Sequence, residues 1–213
     1  MMKLYGFPVS NYYNMVKLAL LEKGFEFEEV TTRPSQDEDY LVKSPMGKIP
    51  CLEVAEGPLS ETGVILDFLD DVSSDIRFYP DDPYQKAKVK ELMKSTELYL
   101  ELVARRLYPA AFFGEALAEA LKAEVRQQLQ RGSAALNKLL KFGPYAAGQN
   151  YTYADIVLYY TVTLGELATQ KALGLSLKDQ IPGLEDWIRL MEQNSFVQRV
   201  NADREKAMAA MMG

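Results

Sequence analysis

Histidine is absent from this chain of 213 residues, and cysteine occurs once, as Cys51. The lack of histidine excludes catalytic triads that contain it, metal sites that it would ligate and acid–base catalysis by an imidazole. We therefore expect no metal centre. A single cysteine excludes an internal disulfide bond, and a cytoplasmic protein is the simplest expectation.

Long apolar runs are also absent, so no segment is expected to span a membrane. The first residues, Met1-Met2-Lys3, lead straight into a strand-like run, which is not the pattern of a signal peptide. The net charge of −6 is uneven, because residues 1–80 hold 7 Lys or Arg and 14 Asp or Glu. This acidic first part argues against a nucleic-acid partner.

Apolar residues make up 48% of the chain, enough for a well-buried core in one large or two small domains. In the first part, strand-like runs at 3–7 and 25–30 flank a helical pattern over 12–23, and a short polar turn follows at 37–42. The stretch 44–69 then adds two short strands joined by a turn, and a helix. The order of these elements is β-α-β followed by β-β-α.

The second part is helical in pattern and follows a proline-containing linker at 79–85. Thr152 and Asp155 have the spacing of a capping box in front of an apolar helix, which gives them a structural role. We expect two domains, 1–78 and 86–213, of which the second is a bundle of helices. The expected helices are 86–107, 117–142, 156–167 and one containing Leu184 to Met191.

The stretch 44–69 holds the most distinctive group of signals. Pro50 lies in an apolar strand, where it predicts a bend, with a cis peptide bond a natural form of it. Such a bend leaves the N–H and C=O of Ile49 free to pair with an extended peptide ligand. Glu61 and Thr62 open the next helix, where N–H groups and a hydroxyl suit a carboxylate and Glu61 suits an ammonium.

This order of motifs resembles the glutathione-binding half of the cytosolic glutathione transferases, and the helical second part resembles their C-terminal domain. The resemblance implies a thioredoxin-like α/β domain, here without a Cys-x-x-Cys pair, and glutathione bound by Ile49, Pro50, Glu61 and Thr62. It also implies a homodimer, with the mixed-charge helix that begins near Lys86 at the interface.

In this family the enzyme stabilises the thiolate of glutathione, for which one hydroxyl donor and a helix N-terminus suffice. The interval from Ser10 to Val16 resembles that of the serine-type classes, such as phi, so Ser10 is the predicted donor. Tyr12, Tyr13 and Asn11 are the alternatives. The tyrosine of other classes falls at Gly6, and Tyr5 is one place off and faces the other side of the strand.

Three further groups of residues receive predicted roles. Lys43 or Lys48 is expected to offer a cation to the glycyl carboxylate of glutathione. Cys51 is expected to be a buried thiol without a redox role. Because no cysteine lies near Ser10, a mixed-disulfide mechanism is not expected. Aromatic side chains are expected to hold the electrophile between the two domains: Tyr12, Tyr108, Phe112 and Phe113.

The resulting hypothesis is a bacterial glutathione transferase that attacks a small hydrophobic electrophile. One alternative is a glutathione-dependent isomerase or peroxidase, although Val9-Ser10-Asn11 departs from the Ser-Ser-Cys signature of the zeta-class isomerases. The other is a non-enzymatic relative that serves as a regulatory or interaction protein. Ser10, Glu61 and Thr62 together favour an enzyme.

Overall fold

The computed structural model describes residues 1–73 and 75–212, which form two compact units. One unit contains Met1–Phe78 together with the chain from Glu192 onward, and the other contains Tyr79–Met191. The domain limits 1–78, 79–85 and 86–213 stay a prediction. The contacts nevertheless group the last helix with the first unit.

A mixed four-stranded sheet forms the centre of the first unit. Its strands are β1 (Met2–Gly6), β2 (Phe27–Thr31), β3 (Cys51–Val54) and β4 (Gly57–Ser60). They lie in the order β2-β1-β3-β4. β1 is parallel to β2, whereas β3 is antiparallel to both β1 and β4. The parallel pair needs a crossover connection, and a helix supplies it.

Three helices connect or follow these strands: α1 (Asn11–Glu22), α2 (Glu38–Leu41) and α3 (Thr62–Val72). The predicted order, β-α-β and then β-β-α, is confirmed. α1 is buried on more than one face, since nine of its 12 residues are buried. The helix is followed by Gly24, just beyond its C-cap Lys23, and the φ of +69° at Gly24 lies in the left-handed region that ends helices.

An ion pair inside the first unit joins α1 to α3. The Lys23 Nζ lies 3.0 Å from Asp70 Oδ1, and both side chains are completely buried. The same carboxylate accepts a hydrogen bond of 2.8 Å from the backbone N–H of Phe78. Asp70 therefore also holds the chain where it leaves this unit.

The second unit is built from helices, and the predicted fold class is confirmed. The helices are α4 (Pro83–Thr96), α5 (Leu102–Ala104), α6 (Tyr108–Phe113), α7 (Glu119–Leu136), α8 (Tyr153–Leu173), α9 (Leu177–Gln180) and α10 (Leu184–Met191).

Three of the four helices predicted for this part have different limits in the structure. The helix expected over 156–167 is longer at both ends, since α8 spans Tyr153–Leu173. The helix expected over 86–107 is interrupted, because a π-helical turn at Glu97–Glu101 follows α4. At this turn a Cβ on Gly132 of α7 would lie 2.3 Å from the Tyr99 carbonyl oxygen, so the two backbones approach closely. The helix expected over 117–142 ends at Leu136. Its C-cap is Asn137, whose side chain donates a hydrogen bond of 2.9 Å to the Gln180 carbonyl.

The C-terminal helix, α11 (Ser195–Met212), packs against α1 in the first unit. Asn194 donates to Glu22 near one end of α1, and Asp203 pairs with Lys17 nearer the other end. The two helices therefore run in opposite directions. Among the described residues, no helix combines the length and apolarity required to cross a membrane.

Candidate functional site

The strand register brings three predicted site segments to one edge of the sheet. Tyr5 of β1 pairs with Cys51 at the start of β3, and Cys51 pairs with Ser60 at the end of β4. The end of β1, the start of β3 and the end of β4 therefore meet at the same edge. The segments next to this edge contain the predicted site residues. Ser10 follows β1, Ile49 and Pro50 precede β3, and Glu61 and Thr62 follow β4.

Ser10 is the N-cap of α1. Its backbone is extended, with φ −75° and ψ 122°, and its Oγ accepts a hydrogen bond of 3.3 Å from the N–H of Tyr13. The first turn of α1 contains no acidic side chain. Because the hydroxyl accepts this bond, its own proton can be donated to an anion, and the helix N-terminus favours negative charge at the same place.

Tyr13, an alternative candidate for the thiolate donor, has its side chain packed inside the unit. It is 1% exposed and lies over Gly6, where an added Cβ would be 2.3 Å from its Cδ2. Its hydroxyl donates to Glu29, and burial together with this carboxylate raises the pKa of Tyr13 far above its usual range. The Tyr13 hydroxyl therefore already donates its proton to Glu29. Asn11 and Tyr12 open α1 beside Ser10, and the first is buried whereas the second is half-buried.

The start of β3 is held in place by two residues that sequence reasoning missed. The Ile49–Pro50 peptide bond is cis. Just before it, the Tyr40 hydroxyl donates to the Lys48 carbonyl at 2.9 Å, and the Lys48 N–H donates to Ser44 Oγ at 3.2 Å. The presence of an aromatic residue in the polar turn at 37–42 was the available sequence signal for Tyr40.

Glu61 has a strained backbone at the beginning of α3. Its φ is 68° and its ψ is 115°, a conformation that non-glycine residues rarely adopt. Its carbonyl accepts a 3.0 Å hydrogen bond from Ile65, so the helix begins there, with Thr62 as its first residue. The Glu61 side chain is exposed. Strain of this kind is concentrated at binding and catalytic sites.

The two predicted lysines differ in their surroundings. The Lys43 ammonium pairs with Glu53 and lies 4.9 Å from the centre of the Tyr5 ring. The hydrogen bond to Glu53 raises the pKa of Lys43, whose charge is therefore already balanced. Lys48 is exposed on the segment before Ile49.

Arg33 is a third cation near this edge, and sequence reasoning missed it. Because β2 is parallel to β1, the residues that follow β2 leave the same edge of the sheet. The Arg33 guanidinium lies 5.6 Å from the centre of the Phe7 ring, directly after β1. Its place two residues beyond a strand end was the available signal.

Cys51 has the properties of a core thiol. Its side chain is completely buried, and burial raises its pKa to about 11. At neutral pH the reactive thiolate form is therefore almost absent.

In the second unit, the predicted aromatic residues lie on α6. The Tyr108 and Phe112 rings meet edge to face at 5.3 Å, and Phe113 is 72% exposed. The Tyr108 oxygen is buried without a hydrogen-bond partner in the described chain, and burial raises the pKa of this hydroxyl. The Arg105 guanidinium lies 5.0 Å from its ring centre.

Thr152 and Asp155 form a reciprocal capping box at the start of α8. The Asp155 carboxylate accepts hydrogen bonds from Thr152 N–H at 2.9 Å, from Ala146 N–H at 2.7 Å and from Trp187 Nε1 at 3.1 Å. These bonds join α8 to the preceding loop and to α10. The role of this pair is thus structural.

Comparison with known proteins agrees with this arrangement. The family model described as "Glutathione S-transferase, N-terminal domain" matches residues 4–75, and "Glutathione S-transferase, C-terminal domain" matches residues 119–190. A glutathione S-transferase of Pseudomonas putida is 44% identical over 212 residues, which cover 100% of this chain and 96% of the relative. The chain belongs to the glutathione S-transferase family.

Solved structures of glutathione transferases share this fold. A glutathione S-transferase from Pseudomonas fluorescens has a TM-score of 0.77 and 25% identity, with 92% of this chain and 96% of that one covered. Glutathione transferase F2 from Populus trichocarpa has a TM-score of 0.83 at 19% identity, covering 97% of this chain and 100% of that one, and this likeness concerns the fold alone.

Proposed function

We propose that the chain binds glutathione at the sheet edge described above and uses Ser10 to stabilise its thiolate for attack on a small hydrophobic electrophile. The observation that carries this proposal is the strand register, which brings the segments that contain Ser10, Ile49 and Glu61 to one edge of the sheet. Two helix N-termini, of α1 and α3, begin at that edge as well. In this proposal no general base is required, which suits a chain without histidine.

Each part of the tripeptide has a complementary group in this proposal. The γ-glutamyl end carries an ammonium for Glu61 and a carboxylate for the N-terminus of α3 with Thr62. The backbone of glutathione pairs with Ile49, which lies outside β3. Lys48 is the proposed cation for the glycyl carboxylate, because Lys43 already pairs with Glu53.

The energy that the thiolate requires is modest. A free thiol has a pKa of about 8.5. Lowering it by ~1–2 units needs about 1.4–2.7 kcal/mol of preferential thiolate stabilisation. A charge-assisted hydrogen bond from Ser10 and the positive end of α1 are of this size.

The test is the ultraviolet thiolate absorbance of bound glutathione as a function of pH, for the wild type and Ser10→Ala. We expect the wild type to lower the thiol pKa and Ser10→Ala to return it towards the free value. Ser176→Ala is the matched control, because Ser176 caps α9 by the same kind of bond, 3.2 Å from Asp179 N–H. A lowered pKa that survives Ser10→Ala would transfer the donor role to Tyr12, Asn11 or a backbone N–H. No binding of glutathione would favour an interaction protein instead.

A homodimer and a cytoplasmic location belong to the same proposal. Three large apolar side chains near the end of α4 support a second copy as partner: Leu98 at 46%, Tyr99 at 51% and Leu102 at 44% exposure. Sedimentation velocity should therefore find a dimer that Leu98→Glu dissociates. Leu167→Glu, at a residue 47% exposed on α8, should leave the dimer intact. A monomeric wild type would contradict the proposal.

A further inference from the structure

A chain of contacts leads from the C-terminal helix to the proposed thiolate donor. Asp203 of α11 lies 2.7 Å from the Lys17 ammonium, and this lysine also lies 2.7 Å from Glu29 of β2. Glu29 also accepts a hydrogen bond from the hydroxyl of Tyr13. The backbone N–H of Tyr13 donates to Ser10 Oγ at 3.3 Å.

Lys17 is the centre of this network. Its side chain is 2% exposed, whereas those of Glu29 and Asp203 are 37% and 43% exposed. A buried ammonium is costly unless it is paired, and two carboxylates from different elements satisfy it here. Lys17 is four residues beyond Tyr13, so both side chains lie on the same face of α1. The network thus fixes the rotation of α1 about its own axis.

Tyr13 transmits this restraint to the site. Its ring lies against Gly6 at the end of β1, while its N–H holds the Ser10 hydroxyl. A shift of Tyr13 would therefore move both the N-terminus of α1 and the Ser10 oxygen. Small displacements of such a donor cost much of its effect, since charge-assisted hydrogen bonds depend on distance and angle.

We propose that Asp203 and Lys17 are positioning residues for the thiolate site, and that the C-terminal helix thereby contributes to thiolate stabilisation although it is 186 residues away from Lys17 in sequence. The inference rests on the proposed function of Ser10. It concerns residues that do not touch glutathione in the proposed binding mode.

Asp203→Asn separates positioning from simple electrostatics, because the two effects have opposite signs. Removing a negative charge near the site should lower the pKa of the bound thiol if only the charge matters. Loss of positioning should raise it. We expect a rise of about half a unit, which is about a threefold smaller thiolate-to-thiol ratio near neutral pH.

The measurement is the thiolate absorbance of bound glutathione against pH, with the melting temperature recorded for each variant. Asp203→Glu should restore the wild-type thiol pKa, since a partly exposed site can accept the longer side chain. Glu205→Gln removes an exposed charge from the same helix and should change nothing. In a Ser10→Ala background, Asp203→Asn should no longer raise the thiol pKa by half a unit, because the positioning effect passes through Ser10.

Tyr13→Phe gives a second test that leaves Asp203 in place. It removes only the hydroxyl that reaches Glu29 and should raise the pKa of the bound thiol in the same direction. An unchanged or lowered thiol pKa in folded Asp203→Asn and Tyr13→Phe, with a lower melting temperature alone, would overturn the inference. A wild type that does not lower the thiol pKa at all would overturn the proposed function and this inference together.

Discussion

The ring of Tyr13 occupies the space in which a side chain at Gly6 would lie. An added Cβ at Gly6 would be 2.3 Å from Tyr13 Cδ2, and the φ of Gly6 is +152°. Glycine is therefore required at the end of β1 for both space and backbone conformation. This contact lets α1 begin close to the sheet edge that carries the proposed site.

Gly6→Ala should destabilise the protein by about 2–5 kcal/mol, since overpacking and positive-φ strain add. Gly24→Ala is the matched variant: its φ is +69°, but nothing lies within 4 Å of an added Cβ. It should cost only about 1–2 kcal/mol. Urea denaturation of both variants measures the difference. Equal losses would show that the Tyr13 contact contributes little.

The structural features that the sequence predicts correctly are those marked by a few neighbouring residues. Pro50 in an apolar run, Glu61-Thr62 before a helix and the Thr152–Asp155 spacing are each read from a few neighbouring positions. The partner of Lys43 could not be read in this way. Lys43 meets Glu53 and Tyr5, and Tyr5 and Glu53 come together only through the antiparallel register of β1 and β3.

Long-range contacts explain the other omissions. A lysine at position 17 looks like a surface residue of a helix, and only the packing of α11 on α1 makes it a buried link to Asp203. The π-helical turn that follows Thr96 likewise lies against Gly132, which belongs to another helix. Neither partner is marked by a local pattern. The sequence therefore predicts the order of elements better than the contacts between them.

Ser10→Asp should separate the cap of α1 from the chemistry proposed for Ser10. Aspartate is a good N-cap and suits the positive end of the helix, so the free energy of unfolding should stay within about 1 kcal/mol of the wild type. Ser10→Ala, which loses the cap, should cost about 0.5–2 kcal/mol. A carboxylate beside the thiolate is repulsive, so the pKa of bound glutathione should rise to the free value or beyond.

Urea denaturation and the thiolate titration of the same two variants check this prediction. A Ser10→Asp protein that is as stable as the wild type and still lowers the thiol pKa would remove Ser10 from the proposed mechanism. A large loss of stability in Ser10→Asp would instead show that the loop after β1 does not tolerate an anion.

Cys51 should make stability depend on pH in alkaline solution. Burial raises its pKa from 9.0 to about 11, so the unfolded chain releases this proton at lower pH than the folded protein. The contribution is therefore fully present below pH 9 and is lost as the pH rises towards 11. Between these limits the loss should be on the order of 2–3 kcal/mol.

The advantage of the wild type over Cys51→Ala isolates this effect from other titrating groups. It is obtained from urea denaturation below pH 9 and near pH 11, and it should shrink across that range. A thiol reagent should also leave the folded wild type unmodified near neutral pH and react once urea unfolds it. A constant difference between the two proteins, or rapid modification of the folded state, would contradict the buried position of Cys51.

Glu61→Gly should stabilise the protein while weakening its binding of glutathione. The φ of 68° at Glu61 is strained for a residue with a Cβ, and glycine removes most of that strain. After allowance for the greater flexibility of glycine in the unfolded chain, the net gain should be about 1 kcal/mol. The same change deletes the carboxylate proposed to bind the ammonium of the γ-glutamyl group.

Glu61→Gln is the variant that distinguishes backbone strain from charge. It keeps a side chain on the strained backbone, so its stability should equal that of the wild type, because the Glu61 side chain is exposed. Its glutathione affinity should fall by a similar factor to that of Glu61→Gly, since both lose the anion. Urea denaturation and calorimetric titration with glutathione give the two quantities. If Glu61→Gly were less stable than the wild type, the strain would not be released by glycine. If both variants bound glutathione normally, the γ-glutamyl ammonium would have to be bound elsewhere.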